Sequence, residues 1–259
     1  LLDPPLHEFV PHTEAEMNEL AKRIHYDPAK LKNKIQSLHE FNPMLGHRGC
    51  RLAITFPEIY QMQSRAIAEA VVQLTKEGYK LIPEVMIPLV ATEKELQILR
   101  KLSEDVILKV QKDSGVKFDY LIGTMIELPR AAVTAHEIAN HADFFSFGTN
   151  DLTQTTLGLS RDDAGRFLGS YVSEGIFAKD PFVTIDQVGV GTLVKTGVDL
   201  GRQTKGKLKV GICGEHGGDP DSIEFFENVN LDYVSCSPFR VPIARLAAAR
   251  ASLKRAARH

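Results

Sequence analysis

The chain has 259 residues, of which 43% are hydrophobic and 25% are charged, and its formal net charge at pH 7 is −2. A chain of this length and composition can bury a sizeable core and is typical of one soluble α/β domain of barrel size. The balanced charge gives no reason to expect nucleic acid or an anionic membrane as a partner, and no apolar run reaches membrane-spanning length.

The first part of the chain is predicted to be mostly helical. Two capping boxes, Thr13 with Glu16 and Thr92 with Glu95, precede apolar residues at helical spacing. The predicted helices span 13–24, 27–41, 57–78 and 92–115, and a buried strand spans 84–90. The segment 42–52 contains two glycines and two arginines without clean periodicity, so we expect a structured loop there.

The rest of the chain alternates between strands and helices. Strands are predicted at 120–126, 143–147, 208–213 and 233–237. Helices are predicted at 129–141, 152–157, 184–203 and 219–229, with a basic, Ala-rich helix running to the C-terminus. The Gly- and Asp-rich stretch 158–182 is predicted to be a long functional loop. This alternation favours a parallel sheet with right-handed crossovers.

The strand count leaves two architectures open. We count five strands plus a partial one at the N-terminus, whereas a closed (β/α) barrel needs eight. The chain is therefore either an open sheet or a barrel from which about two strands at the front are missing.

Three chemically useful side chains follow strands of the predicted sheet. Glu127, Asp151 and Cys213 each come at or just past the end of an apolar run, where parallel sheets build their sites. Two carboxylates suit a hard cation such as Mg²⁺. The alternative is that both acids only cap helix N-termini.

Other candidates surround these three. Arg48 has the fork that binds phosphate or carboxylate, whereas we expect its neighbour Arg51 to be a surface residue in a turn. Gly148, Thr149 and Asn150 precede a helix, so their backbone N–H groups could hold an anion or simply cap the helix.

The cysteines are interpreted separately. Three cysteines without metal-ligand spacing indicate free thiols in a reducing compartment. Cys213 ends a strand between two glycines and should be accessible enough to act as an acid or base. His216 could tune it or replace it, or be a loop histidine with no catalytic role. Cys50 and Cys236 are interpreted as structural, and Cys236 as part of a strand.

Five long motifs carry a family resemblance over essentially all 259 residues. In chain order they are NPMLGHRGCRL, LIGTMIELPRAA, FFSFGTNDLTQTTLGLSRDD, GICGEHGGDP and LDYVSCSPFRVPIARLAAA. Together they resemble the phosphoenolpyruvate-using enzymes, which include pyruvate phosphate dikinase, phosphoenolpyruvate synthase and enzyme I of the sugar phosphotransferase system. HRGCR, CGEHGG and CSPFRVPIARL are most similar to the dikinase group.

The resemblance implies a (β/α)₈ TIM barrel that binds phosphoenolpyruvate or pyruvate with Mg²⁺ at its carboxyl-terminal strand ends. It implies that Glu127 and Asp151 are Mg²⁺ ligands and that Arg48 binds phosphate. Gly148, Thr149, Asn150 and Asp151 would contact the substrate. Cys213 would protonate the enolate carbon of pyruvate, or deprotonate the methyl group in reverse.

The sequence also departs from the family. Two phosphate-binding arginines on the first two barrel strands are absent, as are the swivelling phosphohistidine domain and the nucleotide-binding domain. We therefore expect residues 1–259 to be one barrel domain lacking its first two strands and inactive alone, in an enzyme that is a homodimer. The rivals are the synthase or enzyme I, and a non-catalytic fragment acting as a dimerisation module.

The location is predicted only as intracellular. The compartment stays open between cytoplasm, chloroplast and glycosome or peroxisome, because the final tripeptide Ala257-Arg258-His259 only partly resembles a peroxisomal signal.

Overall fold

Five parallel strands form one sheet in the computed structural model, which describes residues 1–257. The strands are β1 (Glu84–Ile87), β2 (Leu121–Ile126), β3 (Phe144–Gly148), β4 (Lys209–Cys213) and β5 (Tyr233–Val234). They lie in the order β1-β2-β3-β4-β5, and every neighbouring pair is parallel. The five predicted strands and their parallel arrangement are thus confirmed.

Helices fill the connections between the strands. They are α1 (Glu14–Arg23), α2 (Pro28–Ser37), α3 (Gly49–Thr55), α4 (Pro57–Lys76), α5 (Glu93–Ser114), α6 (Pro129–Val133), α7 (Ala135–Ile138), α8 (Thr149–Leu157), α9 (Arg161–Ala164), α10 (Leu168–Ser173), α11 (Val190–Thr204), α12 (Pro220–Asn228) and α13 (Val241–Ala256). Both predicted capping boxes are present, at Thr13 and at Thr92. No helix within residues 1–257 has the length and apolar character needed to cross a bilayer.

Several predicted boundaries were wrong. The expected loop 42–52 contains the start of α3, because contacts distant in sequence fix it: Gly49 N donates to Asp3 O and Cys50 N donates to Pro88 O. Thr134 leaves helical geometry and splits the predicted helix 129–141 into α6 and α7.

Three further boundaries shift. The expected loop 158–182 contains the short helices α9 and α10, and α8 begins at Thr149, three residues earlier than predicted. Helix α11 begins only at Val190, because the Asp186 carboxylate binds the backbone N–H groups of Val188–Val190 in a turn. Cys236 lies beyond β5, so its placement in a strand was wrong. Arg258 and His259 of the final tripeptide lie outside the described residues.

The sheet has two different faces because its side chains alternate. The outer face is apolar and faces the helices. Its residues include Val85, Ile87, Ile122, Ile126, Phe145, Phe147, Val210 and Ile212, all buried. Two glycines let α11 approach this face, since a Cβ on Gly197 or Gly201 would lie 2.9 or 2.7 Å from the rings of Phe147 and Phe145.

The inner face mixes polar with apolar residues and is strongly curved. Lys209 Nζ on β4 lies 2.6 Å from Glu84 Oε1 on β1, although a flat sheet would hold these strands about 14 Å apart. At the free edge of β1, the backbone N of Leu1 donates to Met86 O at 2.8 Å, without forming a strand. The described strands form an open, curved sheet, and the closed eight-stranded barrel is not confirmed.

Candidate active site at the carboxyl ends of the strands

Glu127 is a buried carboxylate at the end of β2. The residue is only 1% exposed, and its Oε1 accepts a hydrogen bond of 2.6 Å from the backbone N of Leu89. Leu89 follows β1 and holds the left-handed conformation at φ 62°, which is costly for a leucine. The end of β1 is therefore bent to present its N–H to this carboxylate.

Arg48 connects the site to two further acids. Its Nη2 lies 2.8 Å from Asp151 Oδ2 and 2.5 Å from Asp3 Oδ2, and its Nε also donates to Asp3 Oδ1. The arginine is 4% exposed. Burial alone would lower its pKa, but the hydrogen bonds and charges of Asp151 and Asp3 outweigh burial and raise the pKa of Arg48. A permanent positive charge thus lies at the centre of the site.

Glu127 and Asp151 are neighbouring acids whose charges influence each other. Burial, followed by the nearby charges of Asp151 and Asp3, raises the pKa of Glu127 well above its ordinary value. Two close carboxylates cannot both ionise at low cost unless a proton or a cation lies between them. The pair thus meets the electrostatic requirement of a cation site.

The surrounding residues fit Mg²⁺. Within residues 1–257 no group of three or more His, Cys, Asp or Glu side chains could hold a metal ion. Mg²⁺ is commonly held by only one or two carboxylates, with water and substrate oxygens completing its shell. Next to Asp151, the Oδ1 atom of Asn150 is buried and has no hydrogen-bond partner among the described residues. The set of oxygen atoms therefore suits a small, hard cation.

Gly148 leaves the space that the Glu127 carboxylate occupies. A Cβ at this position would lie 2.5 Å from Glu127 Oε2 and 2.5 Å from Met125 Sδ. The glycine is required by this close approach and not by its backbone angles, since its φ is −85°. The residue thus shapes the site without contributing a side chain.

Thr149 and Asn150 begin α8. The N–H groups of its first turn have no partners within the helix and could bind an anion. The Thr149 side chain is completely buried and its hydroxyl lies 2.7 Å from His216 Nδ1. Only its backbone therefore remains for a substrate.

Cys213 ends β4 on the inner face, opposite Gly148. Its side chain is half-buried, which is less accessible than the sequence suggested, and Sγ lies 3.7 Å from Phe147 O. Burial, together with the charges of Glu127 and Asp151, raises the pKa of the Cys213 thiol despite a hydrogen bond with Ser146. A thiol that keeps its proton near neutral pH is suited to donate it.

Two other predicted residues lie away from this cluster. Arg51 donates to the carbonyls of Leu45 and Gly46 and so holds a turn in place. Cys50 is buried and its Sγ donates to Leu89 O at 3.1 Å. Both positions agree with the structural interpretations made from the sequence.

Asp3 and Leu89 were missed by the sequence reasoning. Asp3 follows the strand-like residues Leu1 and Leu2, so the rule that found Glu127 and Asp151 could also have found it. No local signal marks Leu89, because it contributes a backbone N–H in an unusual conformation.

Comparisons with known proteins agree with this geometry. A family model described as the PEP-binding domain of PEP-utilising enzymes matches residues 1–253. Two proteins named pyruvate, phosphate dikinase, from Clostridium symbiosum and Rhizobium meliloti, are each 60% identical over 97% and 98% of this chain. The chloroplastic pyruvate, phosphate dikinase of Flaveria trinervia is 56% identical over 96% of it. The chain spans 29%, 28% and 26% of these three relatives, which is less than a third of each.

Proposed function

The chain belongs to the PEP-utilising enzymes through their PEP-binding domain, and we propose that it is the part of a pyruvate phosphate dikinase that forms phosphoenolpyruvate from pyruvate. The predicted family is thereby confirmed. The activity is proposed for a whole polypeptide that is longer than this chain. In the dikinase relatives, the matching region is less than a third of the protein. The phosphohistidine and nucleotide-binding domains would lie in the remainder.

The observation that carries the proposal is the cluster of Glu127, Asp151 and Arg48 at the strand ends. The buried Glu127 and the partly buried Asp151 provide a cation site, and the buried Arg48 guanidinium, held by Asp3, Asp151 and Met44 O, provides the positive charge that attracts a phosphate. Bound there, Mg²⁺ would stabilise the negative charge that develops on the substrate oxygens. Glu127 and Asp151 would hold the ion, and Asn150 Oδ1 and the first turn of α8 would face the substrate.

The half-reaction exchanges one phosphoryl group and one proton. In the direction of phosphoenolpyruvate synthesis, the P–N bond of a phosphohistidine breaks and a P–O bond forms on the enolate oxygen of pyruvate. The methyl carbon must first lose a proton. We assign that step to Cys213: its thiolate accepts the proton in this direction, and its thiol, which the raised pKa favours, returns the proton to the enolate carbon in the reverse direction.

We also propose the barrel as the complete architecture. A sequential order of five parallel strands is expected for an arc of a singly wound barrel. The pairing of Glu84 with Lys209 across the inner face supports the required curvature. The backbone bond between Leu1 and Met86 supports further pairing at the free edge of β1.

Two remaining predictions belong to the same proposal. A homodimer is supported by α13, on which Ile243, Leu246 and Leu253 are 51%, 64% and 72% exposed. An intracellular location is supported by bacterial and chloroplastic relatives. The synthase, enzyme I and a non-catalytic dimerisation fragment are not favoured by the dikinase relatives.

The proposal can be tested on the complete polypeptide. Oxalate resembles the planar enolate of pyruvate, so calorimetry should detect oxalate binding that requires Mg²⁺. Phosphoenolpyruvate should be formed from pyruvate with ATP and inorganic phosphate together. Activity with ATP and water would indicate the synthase, and activity with a carrier protein would indicate enzyme I. Absence of Mg²⁺-dependent binding of both oxalate and phosphoenolpyruvate would support the non-catalytic alternative.

A further inference from the structure

His216 is completely buried three residues after Cys213, in the 3₁₀ turn Glu215–Gly218 that follows β4. Both of its ring nitrogens have partners. Nε2 lies 2.8 Å from Pro181 O, and Nδ1 lies 2.7 Å from Thr149 Oγ1. A histidine with both nitrogens held by the fold has none left for pyruvate, so the geometry does not favour it as the acid or base.

The two partners determine which nitrogen carries the proton. The carbonyl of Pro181 can only accept, so Nε2 must donate to it. In the neutral ring Nδ1 then accepts, and the Thr149 hydroxyl donates to it. The same hydroxyl lies 3.4 Å from Cys213 O, but it has one proton, and the contact with His216 is shorter by 0.7 Å.

These bonds join three parts of the chain that surround the site. Thr149 opens α8, two residues before Asp151. Pro181 belongs to the outer segment, which we define as residues 158–189, whose own apolar cluster includes Ala164, Leu168 and Phe182. His216 belongs to the turn after Cys213 and is therefore the point at which the turn, α8 and the outer segment meet.

The turn after Cys213 passes very close to α8. Gly214 has φ 117°, and a Cβ on it would lie 3.1 Å from Thr149 Oγ1 and 3.3 Å from Asn150 Oδ1. Because the two backbones are this close, a small shift of either changes the distance between the Cys213 thiol and the Asp151 carboxylate. The bond between His216 and Thr149 fixes that spacing.

We propose that His216 is a positioning residue that aligns the Cys213 thiol with the cation-binding turn of α8 through its bond to Thr149, while Pro181 O holds the ring proton on Nε2 and so leaves Nδ1 free to accept. The inference rests on the proposed function and adds a residue to it. It acts through Thr149, so the two residues form one unit.

A pair of amide substitutions separates the two bonds. In His216→Asn, the amide oxygen can replace Nδ1 and accept from Thr149, but the side chain is too short to reach Pro181 O. In His216→Gln, the amide nitrogen can replace Nε2 and donate to Pro181 O, while Thr149 loses its acceptor. Thr149→Val removes the hydroxyl, Thr149→Ser keeps it, and Thr153→Val is the control.

Thr153 is a close match for Thr149. It lies on the same helix, is equally buried, and its hydroxyl has no partner within residues 1–257. The same substitution at this site removes no hydrogen bond, so Thr153→Val should keep the wild-type rate.

The first readout is exchange of the pyruvate methyl protons with deuterated water in the complete, phosphorylated polypeptide. Thr149→Val and His216→Gln should each lower kcat for exchange about tenfold or more, with KM for pyruvate nearly unchanged. Thr149→Ser and His216→Asn should recover most of the loss. The double variant His216→Gln/Thr149→Val should be no slower than the slower single variant, since each substitution removes the same hydrogen bond between His216 and Thr149. Additive losses, or wild-type rates in both single variants, would overturn the proposal.

The second readout does not depend on catalysis. Alkylation of Cys213 by iodoacetamide, followed by peptide mass mapping, should be several-fold faster in Thr149→Val and His216→Gln than in Thr153→Val. If the wild type exchanges no methyl protons but this difference is observed, the proposed function fails and the positioning role stands. Equal alkylation rates in all three variants would refute the positioning role. Loss of one limb of the pH profile for exchange in His216→Asn would instead make the histidine the acid or base.

Discussion

The carboxylate of Glu127 occupies the space that a side chain at Gly148 would need. A Cβ on Gly148 would lie 2.5 Å from Glu127 Oε2 and 2.9 Å from Glu127 Cβ. Glycine at the end of β3 and glutamate at the end of β2 therefore form one steric unit. The position of the acid depends on its neighbour having no side chain.

Gly148→Ala should consequently displace Glu127 without changing any charge. We expect Mg²⁺-dependent oxalate binding to weaken about tenfold or more, because a shift of a few tenths of an ångström disrupts a hard-cation site with strict geometry. Gly165→Ala is the control, since a Cβ there meets nothing within 4 Å. Isothermal calorimetry measures both. Unchanged binding in Gly148→Ala would show that Glu127 has room to move or is not a ligand.

Glu127→Gln should have opposite effects on stability and on binding. Because the folded-state pKa of Glu127 is raised above 4.5, its contribution to stability is full below pH 4.5 and is lost as pH rises toward the folded value. The amide keeps the oxygen that accepts from Leu89 and removes the charge. We expect the variant to resist urea better than wild type at pH 8 without metal, to lose that advantage at low pH, and to gain nothing from added Mg²⁺. A variant that Mg²⁺ still stabilises would exclude Glu127 as a ligand.

The sequence predicted the sheet and the main acids because both depend on local patterns. Apolar runs that end in polar turns locate Glu127, Asp151 and Cys213 in the order in which the strands lie side by side. Parallel strands end at the same edge, so residues far apart in sequence could be placed together. Arg48 was found from its residue type and its flanking glycines.

The remainder could not be predicted because tertiary contacts decide it. Helix α3 starts where Asp3 and Pro88 accept from its first N–H groups. Leu89 contributes a backbone N–H in a strained conformation, and a strained conformation cannot be predicted from the residue type. Closure of the sheet depends on pairing at the edges, and a strand count alone left the open sheet and the barrel undecided.

Arg48→Lys should be much more damaging than Arg51→Lys. Arg48 binds Asp3 through two atoms and Asp151 through one, and a lysine ammonium cannot reproduce this planar fork. We expect a loss of about 1.5–3 kcal/mol in the free energy of unfolding and a large loss of phosphoenolpyruvate binding. Arg51→Lys can still reach the carbonyl of Leu45 or of Gly46 and should be mild. Urea titration and calorimetry test this, and equal, mild effects would make Arg48 an ordinary loop arginine.

Cys213→Ala and Cys213→Ser should block exchange of the pyruvate methyl protons while the phosphohistidine still forms. A positioned acid or base typically contributes on the order of 10²–10⁴-fold, and neither variant retains a group of suitable acidity. Cys236→Ala is the matched control, because Cys236 is also half-buried but packs against the apolar cluster of Ile223, Ala244 and Ala247. NMR in deuterated water follows the exchange. Wild-type exchange in Cys213→Ala would transfer the proton-transfer role to another group.

His216 should make the fold sensitive to mild acid. Burial, with a smaller contribution from Arg161, lowers the pKa of His216 below 6.5, although the hydrogen bond to Pro181 and the charges of Asp219 and Glu215 oppose the shift. A group with a lowered folded-state pKa contributes its stability fully above pH 6.5, and that contribution is lost as pH falls from 6.5 through the folded value. In His216→Asn no ring titrates at this position, while every other histidine is unchanged. Between pH 8 and pH 5, the urea midpoint of unfolding should therefore fall further in wild type than in His216→Asn. Parallel losses in the two proteins would mean that the imidazole accepts a proton in the folded state as easily as in water, which the complete burial of the ring argues against.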